Sequence, residues 1–230
     1  MKLSKRLQLI ADVIKEYKQG SKLADIGTDH AYLPCYLVQS KILTRAYACD
    51  VAEGPFMSSK QTIALYGLEG QVTALLGNGL DPILNKPVDM ISIAGMGAHL
   101  VTEILDKHKA YLHNINVMFL QVNANTHHLR KFLFSNDWEI IDEKMVKDAG
   151  HIYEVLVVTR QHNKDVVYNK NDIEFGPIFI TTRPELFREK WKKQSHVYHN
   201  IMGSLPKNHP RYLELYDKVK RIEGILYESK

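Results

Sequence analysis

Hydrophobic positions in the first twenty residues fall at Leu3, Leu7, Ile10, Val13, Ile14 and Tyr17, the three-and-four spacing of one helical face. With Ser4 placed to cap its start and Gly20 to end it, the pattern predicts a helix over 4–18. Beyond it, short apolar runs alternate with helical patterns. KLADIG, RAYACDV, QVTALLG, VDMISIA and INVMFLQV read as strands, with helices over 31–40, 54–67, 98–109 and 125–135. Strands that are apolar on both faces need cover on both sides, so the alternation predicts a parallel sheet between two helical layers. The segment WEIIDEKMVKDAGHIYEVLVVTR reads as two more strands turning at KDAG, a hairpin that closes the sheet edge antiparallel.

From about residue 163 the pattern changes to a polar connector, HNKDVVYNKNDIEFGPIF, followed by two helical patterns split by GSLPKNHP. The first carries Phe187, Trp191, Tyr198, Ile201 and Leu205; the second carries Tyr212, Leu215, Tyr216, Val219, Ile222 and Leu226. One apolar stripe on each charged helix predicts an antiparallel helical hairpin resembling a short coiled coil. The expected organisation is an α/β domain over 1–162 and a connector with helical hairpin over 163–230. Neither an internal repeat nor a low-complexity tract is present.

Composition narrows this picture. With 230 residues and 45% hydrophobic content the chain can bury its own core. The N-terminus has charges spread along a helical pattern, unlike a signal peptide, and no apolar run nears the roughly 20 residues that cross a bilayer. Two cysteines, Cys35 and Cys49, without C-x-x-C spacing fit buried thiols in a reducing, cytoplasmic setting. The net charge of +4 is uneven: residues 181–230 hold 11 Lys/Arg against 6 Asp/Glu, and the preceding 180 hold 19 against 20. A basic C-terminal fifth suits a polyanionic partner and equally suits a solvated helix face.

Ligands of open α/β sheets bind at the carboxyl ends of the strands. Those ends carry Asp25 and Gly27, then Asp50, then Asn78 and Gly79, then Ala94, Gly95, Met96 and Gly97. Asp50 lies where an acidic residue accepts hydrogen bonds from a ribose diol. A dinucleotide loop would need glycines where this chain has Asp29 and Tyr32. Asp29 adds negative charge where a pyrophosphate would sit, so a cationic nucleoside without phosphate fits better. S-adenosylmethionine (AdoMet), with its sulfonium and ammonium groups, is such a ligand. Asp29 is also a natural helix cap, Asn78 a natural turn residue, and Gly95 and Gly97 residues that ease a tight turn. His127 and His128 point about 100° apart on a helix and have no partner at metal-ligand spacing, so no metal is expected.

The residues LSKRL (3–7), ADIGTDHAYLPCY (24–36), GPF (54–56), GNGL (77–80), IAGMG (93–97), LQVN (120–123) and HIYEVLV (151–157) resemble the bacterial tRNA (adenine-22-N1)-methyltransferases. The resemblance extends through FGP (175–177) and Lys190-Trp191, and so covers most of the chain. It implies a Rossmann-like class I methyltransferase domain with a mostly parallel seven-stranded sheet and a C-terminal helical hairpin. It further implies that Asp25, Gly27, Asp29 and His30 surround the methionine end of AdoMet, that Asp50 and Val51 hold the ribose, and that Asn78 and Gly79 meet the adenine. Ala94, Gly95, Met96 and Gly97 would line the floor. The chain departs from the family at Asn78, usually Asp; at Ala98, usually Gly; and at Val122, often Pro.

The implied reaction is methyl transfer to N1 of adenine 22 in the D-arm region of tRNA, in the cytoplasm. Neutral adenine offers a lone pair at N1, so alignment dominates, and the exocyclic amine of the cationic product must lose a proton. Asp29 is the charged candidate for that step and Asn123 the group that orients the base. His30 at a helix start is a hydrogen-bonding residue or a catalytic one, and Tyr32 could stack an extruded base. Lys190, Lys192, Lys193, Arg211, Lys218, Lys220 and Arg221 would meet tRNA phosphates. Two other readings remain: an AdoMet-dependent enzyme acting on a small molecule, and an AdoMet- or RNA-binding module without turnover.

Overall fold

The Ser4 side chain accepts a hydrogen bond from the backbone N–H of Leu7 at 3.2 Å and caps α1 (Lys5–Tyr17), whose buried face is Ile10, Ala11, Val13 and Ile14. The computed structural model describes residues 1–160 and 167–227. Two compact units divide the chain, Met1–Val167 and Tyr168–Lys230. The boundary expected after residue 162 falls in 161–166, outside the described residues.

In the first unit the strands are β1 (Lys22–Ile26), β2 (Arg45–Asp50), β3 (Val72–Leu76), β4 (Met90–Met96), β5 (Val117–Val122), β6 (Trp138–Asp148) and β7 (His151–Arg160). They form one sheet in the order β3-β2-β1-β4-β5-β7-β6, parallel through β5 and antiparallel for β7 and β6. The helices between them are α2 (Tyr32–Gln39), α3 (Glu53–Leu65), α4 (Ala98–Lys107), α5 (Lys109–Leu112) and α6 (Thr126–Phe134).

Each face of the sheet has its own core. Ile10, Ile14, Leu33, Leu37 and Ile63 from α1, α2 and α3 pack on one face; Val101, Leu105, Leu112, Leu129 and Leu133 from α4, α5 and α6 pack on the other. Cys35 and Cys49 are free and buried; burial pushes the Cys35 thiol up to about 12 and the Cys49 thiol up as well. One expected helix differs: 98–109 breaks at His108, whose ring bonds the Ile104 carbonyl and Asp81, each at 2.8 Å, before the chain restarts as α5.

Two polar ties hold the antiparallel edge. The Tyr17 hydroxyl donates to Asp142 Oδ2 at 2.6 Å and so joins α1 to β6. That bond, with burial and the neighbouring charge, pushes the phenol well above its usual range. Deeper in, Arg130 of α6 bonds Glu143 of β6 at 2.7 Å and Glu154 of β7 at 2.6 Å, all three side chains at most 3% exposed. Burial alone would lower the Arg130 pKa; the two carboxylates outweigh it and raise it.

In the second unit the expected connector is corrected from Lys170 onward, where two short helices form. A capping box between Asn169 and Asp172 starts α7 (Lys170–Phe175), and Pro177 at the first position starts α8 (Pro177–Thr182). Then come α9 (Glu185–Gly203) and α10 (Pro210–Tyr227). They meet through Met202, Leu215 and Val219, while Phe175, Phe179, Phe187 and Trp191 form an aromatic cluster at their other end. Pairing of the end of α9 with the start of α10 makes the hairpin antiparallel. Among the described residues no helix is long and apolar enough to cross a membrane.

Candidate active site

The parallel register that pairs Ile26 with Cys49 brings the chain after β1 across the end of β2, where the Cys49 carbonyl accepts from Gly27 N–H at 2.9 Å and Thr28 N–H at 3.1 Å. Gly27 has φ +73°, and a Cβ there would run into the Met96 methyl. Asp29 and Ala31 follow at φ 59° and 54°, both left-handed without being glycine. The turn is held by Asp50 Oδ2, which accepts from Asp29 N–H at 3.2 Å, and by Ser59 Oγ, which donates to the Asp29 carbonyl at 3.2 Å. The Asp29 carboxylate is 68% exposed and lies 3.6 Å from His30 Nε2; the His30 ring stacks on Tyr32 at 5.2 Å.

A pocket of about 160 Å³ opens beside this turn, lined by Gly27, Asp50, Val51, Asn78, Gly79 and Met96 together with Ile26, Cys49, Gly77, Leu100 and Ile104. Six of the twelve residues expected at the cofactor therefore share one cavity wall. Its volume is below the roughly 300–1,000 Å³ of a whole small-molecule site, so it suits the nucleoside half of a ligand whose remainder runs along the open lip. The apolar wall from Leu100 and Ile104 was not expected from sequence; their one-turn spacing after the glycine turn was the available signal.

The other six lie outside that wall. Asp29 and His30 form the exposed lip. Asp25 sits beneath the loop, 4% exposed, accepting from Ser92 Oγ at 2.7 Å; burial pushes its pKa up against the lowering effect of that bond. Ala94, Gly95 and Gly97 occupy the end of β4, where the ladder to β5 shifts register between Ala94 and Met96. There Asn123 Nδ2 donates to the Gly95 carbonyl at 2.7 Å and Asn123 N–H to the Met96 carbonyl at 2.9 Å, which places Asn123 beside the floor. The His128 and His99 rings lie 4.0 Å apart and tilted by 43°, and the described residues contain no cluster of three metal-ligating side chains.

The basic residues expected at RNA differ in their surroundings. Arg211, Lys218 and Arg221 pair with carboxylates of their own helix at 2.8–3.1 Å, whereas Lys192 and Lys193 are exposed on α9. Lys190 lies 5.0 Å over the Trp191 ring and Lys220 5.5 Å over Tyr216. Lys220 and Arg221 also line a groove of about 570 Å³ with Arg183, a residue the sequence pattern did not single out.

The sheet order, the glycine turn after its first strand and the carboxylate ending its second define a class I methyltransferase of the AdoMet-dependent kind. A family model described as tRNA (adenine(22)-N(1))-methyltransferase matches residues 23–224, and the chain belongs to that family. The Bacillus subtilis tRNA (adenine(22)-N(1))-methyltransferase is 32% identical, with 98% of each chain covered. A Streptococcus pneumoniae protein described as a candidate tRNA (m1A22) methyltransferase, solved with S-adenosyl-L-methionine, is 32% identical with TM-score 0.89, covering 98% of this chain and 100% of that one. TrmK of M. capricolum, solved with S-adenosyl-homocysteine, is 28% identical with TM-score 0.86, covering 98% of both chains.

Gly27→Ala tests the turn. A left-handed alanine costs about 1–2 kcal/mol, and its Cβ drives Met96 into the cavity. AdoMet affinity by titration calorimetry is expected to fall by at least about tenfold, with a small drop in melting temperature; unchanged affinity would separate this turn from the cofactor.

Proposed function

We propose that this protein transfers the AdoMet methyl group to N1 of adenine 22 in the D-arm region of tRNA, acting in the cytoplasm where tRNA is used. The observation that supports it most is the carboxylate-edged pocket at the ends of β1 and β2, set in a chain that matches the family along most of its length. The pocket suits AdoMet: Gly27 leaves no Cβ in the cradle, Asp50 offers a carboxylate at its rim, and Leu100 with Ile104 offers an apolar wall for a purine. The bound cofactor supplies an electrophilic methyl on a sulfonium.

The residues do the rest. Asp50 and Val51 hold the ribose, Asn78 and Gly79 meet the adenine of the cofactor, and Asp25, Gly27, Asp29 and His30 surround its methionine end, above a floor of Ala94, Gly95, Met96 and Gly97. N1 of the target adenine already carries its lone pair, so no base is needed before attack; holding the ring in line is the main contribution to rate. After attack the purine is cationic until its 6-amino group loses a proton. Asp29 stabilises that charge and accepts the proton, and Asn123 orients the ring. Lys190, Lys192, Lys193, Arg211, Lys218, Lys220 and Arg221 meet phosphates and set affinity without reading sequence.

The test incubates methyl-labelled AdoMet with two transcripts of one tRNA, adenine or guanine at position 22. Label is expected in the adenine transcript alone, as 1-methyladenosine. Label in neither, with AdoMet bound, would point to a small-molecule substrate or a binding module.

A further inference from the structure

At the carboxyl ends of β4 and β5, Arg6 Nη1 donates to Gln121 Oε1 at 2.6 Å, bridging from α1 to the centre of the sheet. A guanidinium can only donate, so it meets the Gln121 oxygen and not the nitrogen. The Gly95 N–H donates to the same oxygen at 3.1 Å. The Gln121 amide nitrogen is thereby turned the other way, and it donates to Asn123 Oδ1 at 3.4 Å. The Asn123 amide nitrogen in turn donates to the Gly95 carbonyl at 2.7 Å. These three bonds close a ring through Gly95, Gln121 and Asn123, with Arg6 setting its direction from outside.

Arg6 is well placed for that task. Its backbone N–H is tied to Asp148 Oδ2 at 3.0 Å and its guanidinium lies 5.5 Å from the centre of the Tyr153 ring. Among the described residues no carboxylate forms an ion pair with that guanidinium, so its short bond is spent on an amide. Gln121 is 1% exposed, and an amide so buried has little freedom to turn once both ends are bonded. Gly95 has φ +80°, and a Cβ there would lie 3.1 Å from Arg6 Nη1, so the glycine also makes room for the arginine.

We propose that Arg6 is a positioning residue for the target base: through Gln121 it fixes the Asn123 amide with Oδ1 as the acceptor for the 6-amino group of adenine. This rests on the proposed function. Asn123 is exposed, and among the described residues Oδ1 receives one bond, the long one from Gln121, which leaves it a lone pair for a second donor. Adenine presents a donor at C6 and a bare N1. Guanine presents an acceptor there, which would oppose Oδ1, and holds a proton on N1. The ring of bonds thus favours adenine before the chemistry begins.

The experiment measures kcat and KM for wild type, Arg6→Ala, Arg6→Lys and Gln121→Glu on two transcripts, one with adenine and one with unsubstituted purine at position 22. Gln121→Glu keeps the acceptor for Arg6 and loses the donor to Asn123, so it repeats the test should Arg6→Ala fold poorly. Wild-type turnover of the adenine transcript tests the proposed function by itself, and its absence overturns both readings. Given that turnover, Arg6→Ala and Gln121→Glu are expected to lower kcat on adenine on the order of 10- to 100-fold, with KM for tRNA and AdoMet affinity within about twofold. On purine, which has no 6-amino group to receive, the same variants should lose little further, and Arg6→Lys, still able to donate to Gln121, should recover part of the rate. An equal loss on both bases, or a loss confined to KM for tRNA, would overturn the proposal.

Discussion

Arg130→Met is expected to lower the melting temperature by roughly 10 °C, from a destabilisation of about 3–5 kcal/mol in a chain of this size. The cause is the pair of carboxylates left behind. Glu143 and Glu154 meet one guanidinium at 2.7 and 2.6 Å in a site that water scarcely reaches. With the arginine gone, both keep the desolvation penalty and lose the charge that offset it. Their pKa values in the folded variant should then rise above the unfolded values, so the missing stability is largest at neutral pH and recovers as acid protonates them. Urea unfolding at about pH 7.5 and 5.5 reads this directly. Replacing all three residues by apolar ones of similar volume should cost far less than the single change. A single variant as stable as wild type would mean that water enters the site.

This triad also marks where sequence stops being informative. The seven strands were legible because each carries an apolar run of its own, and the α/β alternation followed from their spacing. No local pattern shows that Arg130, Glu143 and Glu154 converge, since a helix face and two strands must pack first. The left-handed turn at Asp29 and Ala31 was equally hidden. Its conformation is imposed by bonds to Asp50 and Ser59, not by glycine, which is the usual sign. In the second unit α7 and α8 are too short for periodicity, and the local signals for them are the capping box of Asn169 and Asp172 for α7 and Pro177 at the first position of α8. Arg6 was visible as part of LSKRL, yet its bond to Gln121 spans 115 positions and depends on where α1 crosses the sheet.

Asp29→Asn should have the largest effect on the reaction with almost none on the fold. Asparagine tolerates φ near 59° about as well as aspartate does, and it is nearly the same size. The two bonds that hold the turn use the backbone N–H and carbonyl of this residue, so both survive the substitution. Stability is therefore expected to stay within about 0.5 kcal/mol of wild type. The carboxylate itself is exposed, so its attraction for a cationic ligand is screened, and AdoMet affinity should weaken only by about fivefold or less. Turnover is another matter. If this carboxylate balances the charge that develops on the purine and then takes the 6-amino proton, its loss should slow methyl transfer on the order of 10² to 10⁴-fold. Single-turnover rates on the adenine transcript at saturating AdoMet separate the two effects. A rate near wild type, with cofactor bound, would assign the proton to water or to a neighbouring group and leave Asp29 as part of the cofactor turn. A large loss in rate with the fold and affinity intact would instead place this exposed, left-handed carboxylate at the chemistry, and would explain why the chain carries an aspartate where a phosphate-binding loop carries glycine.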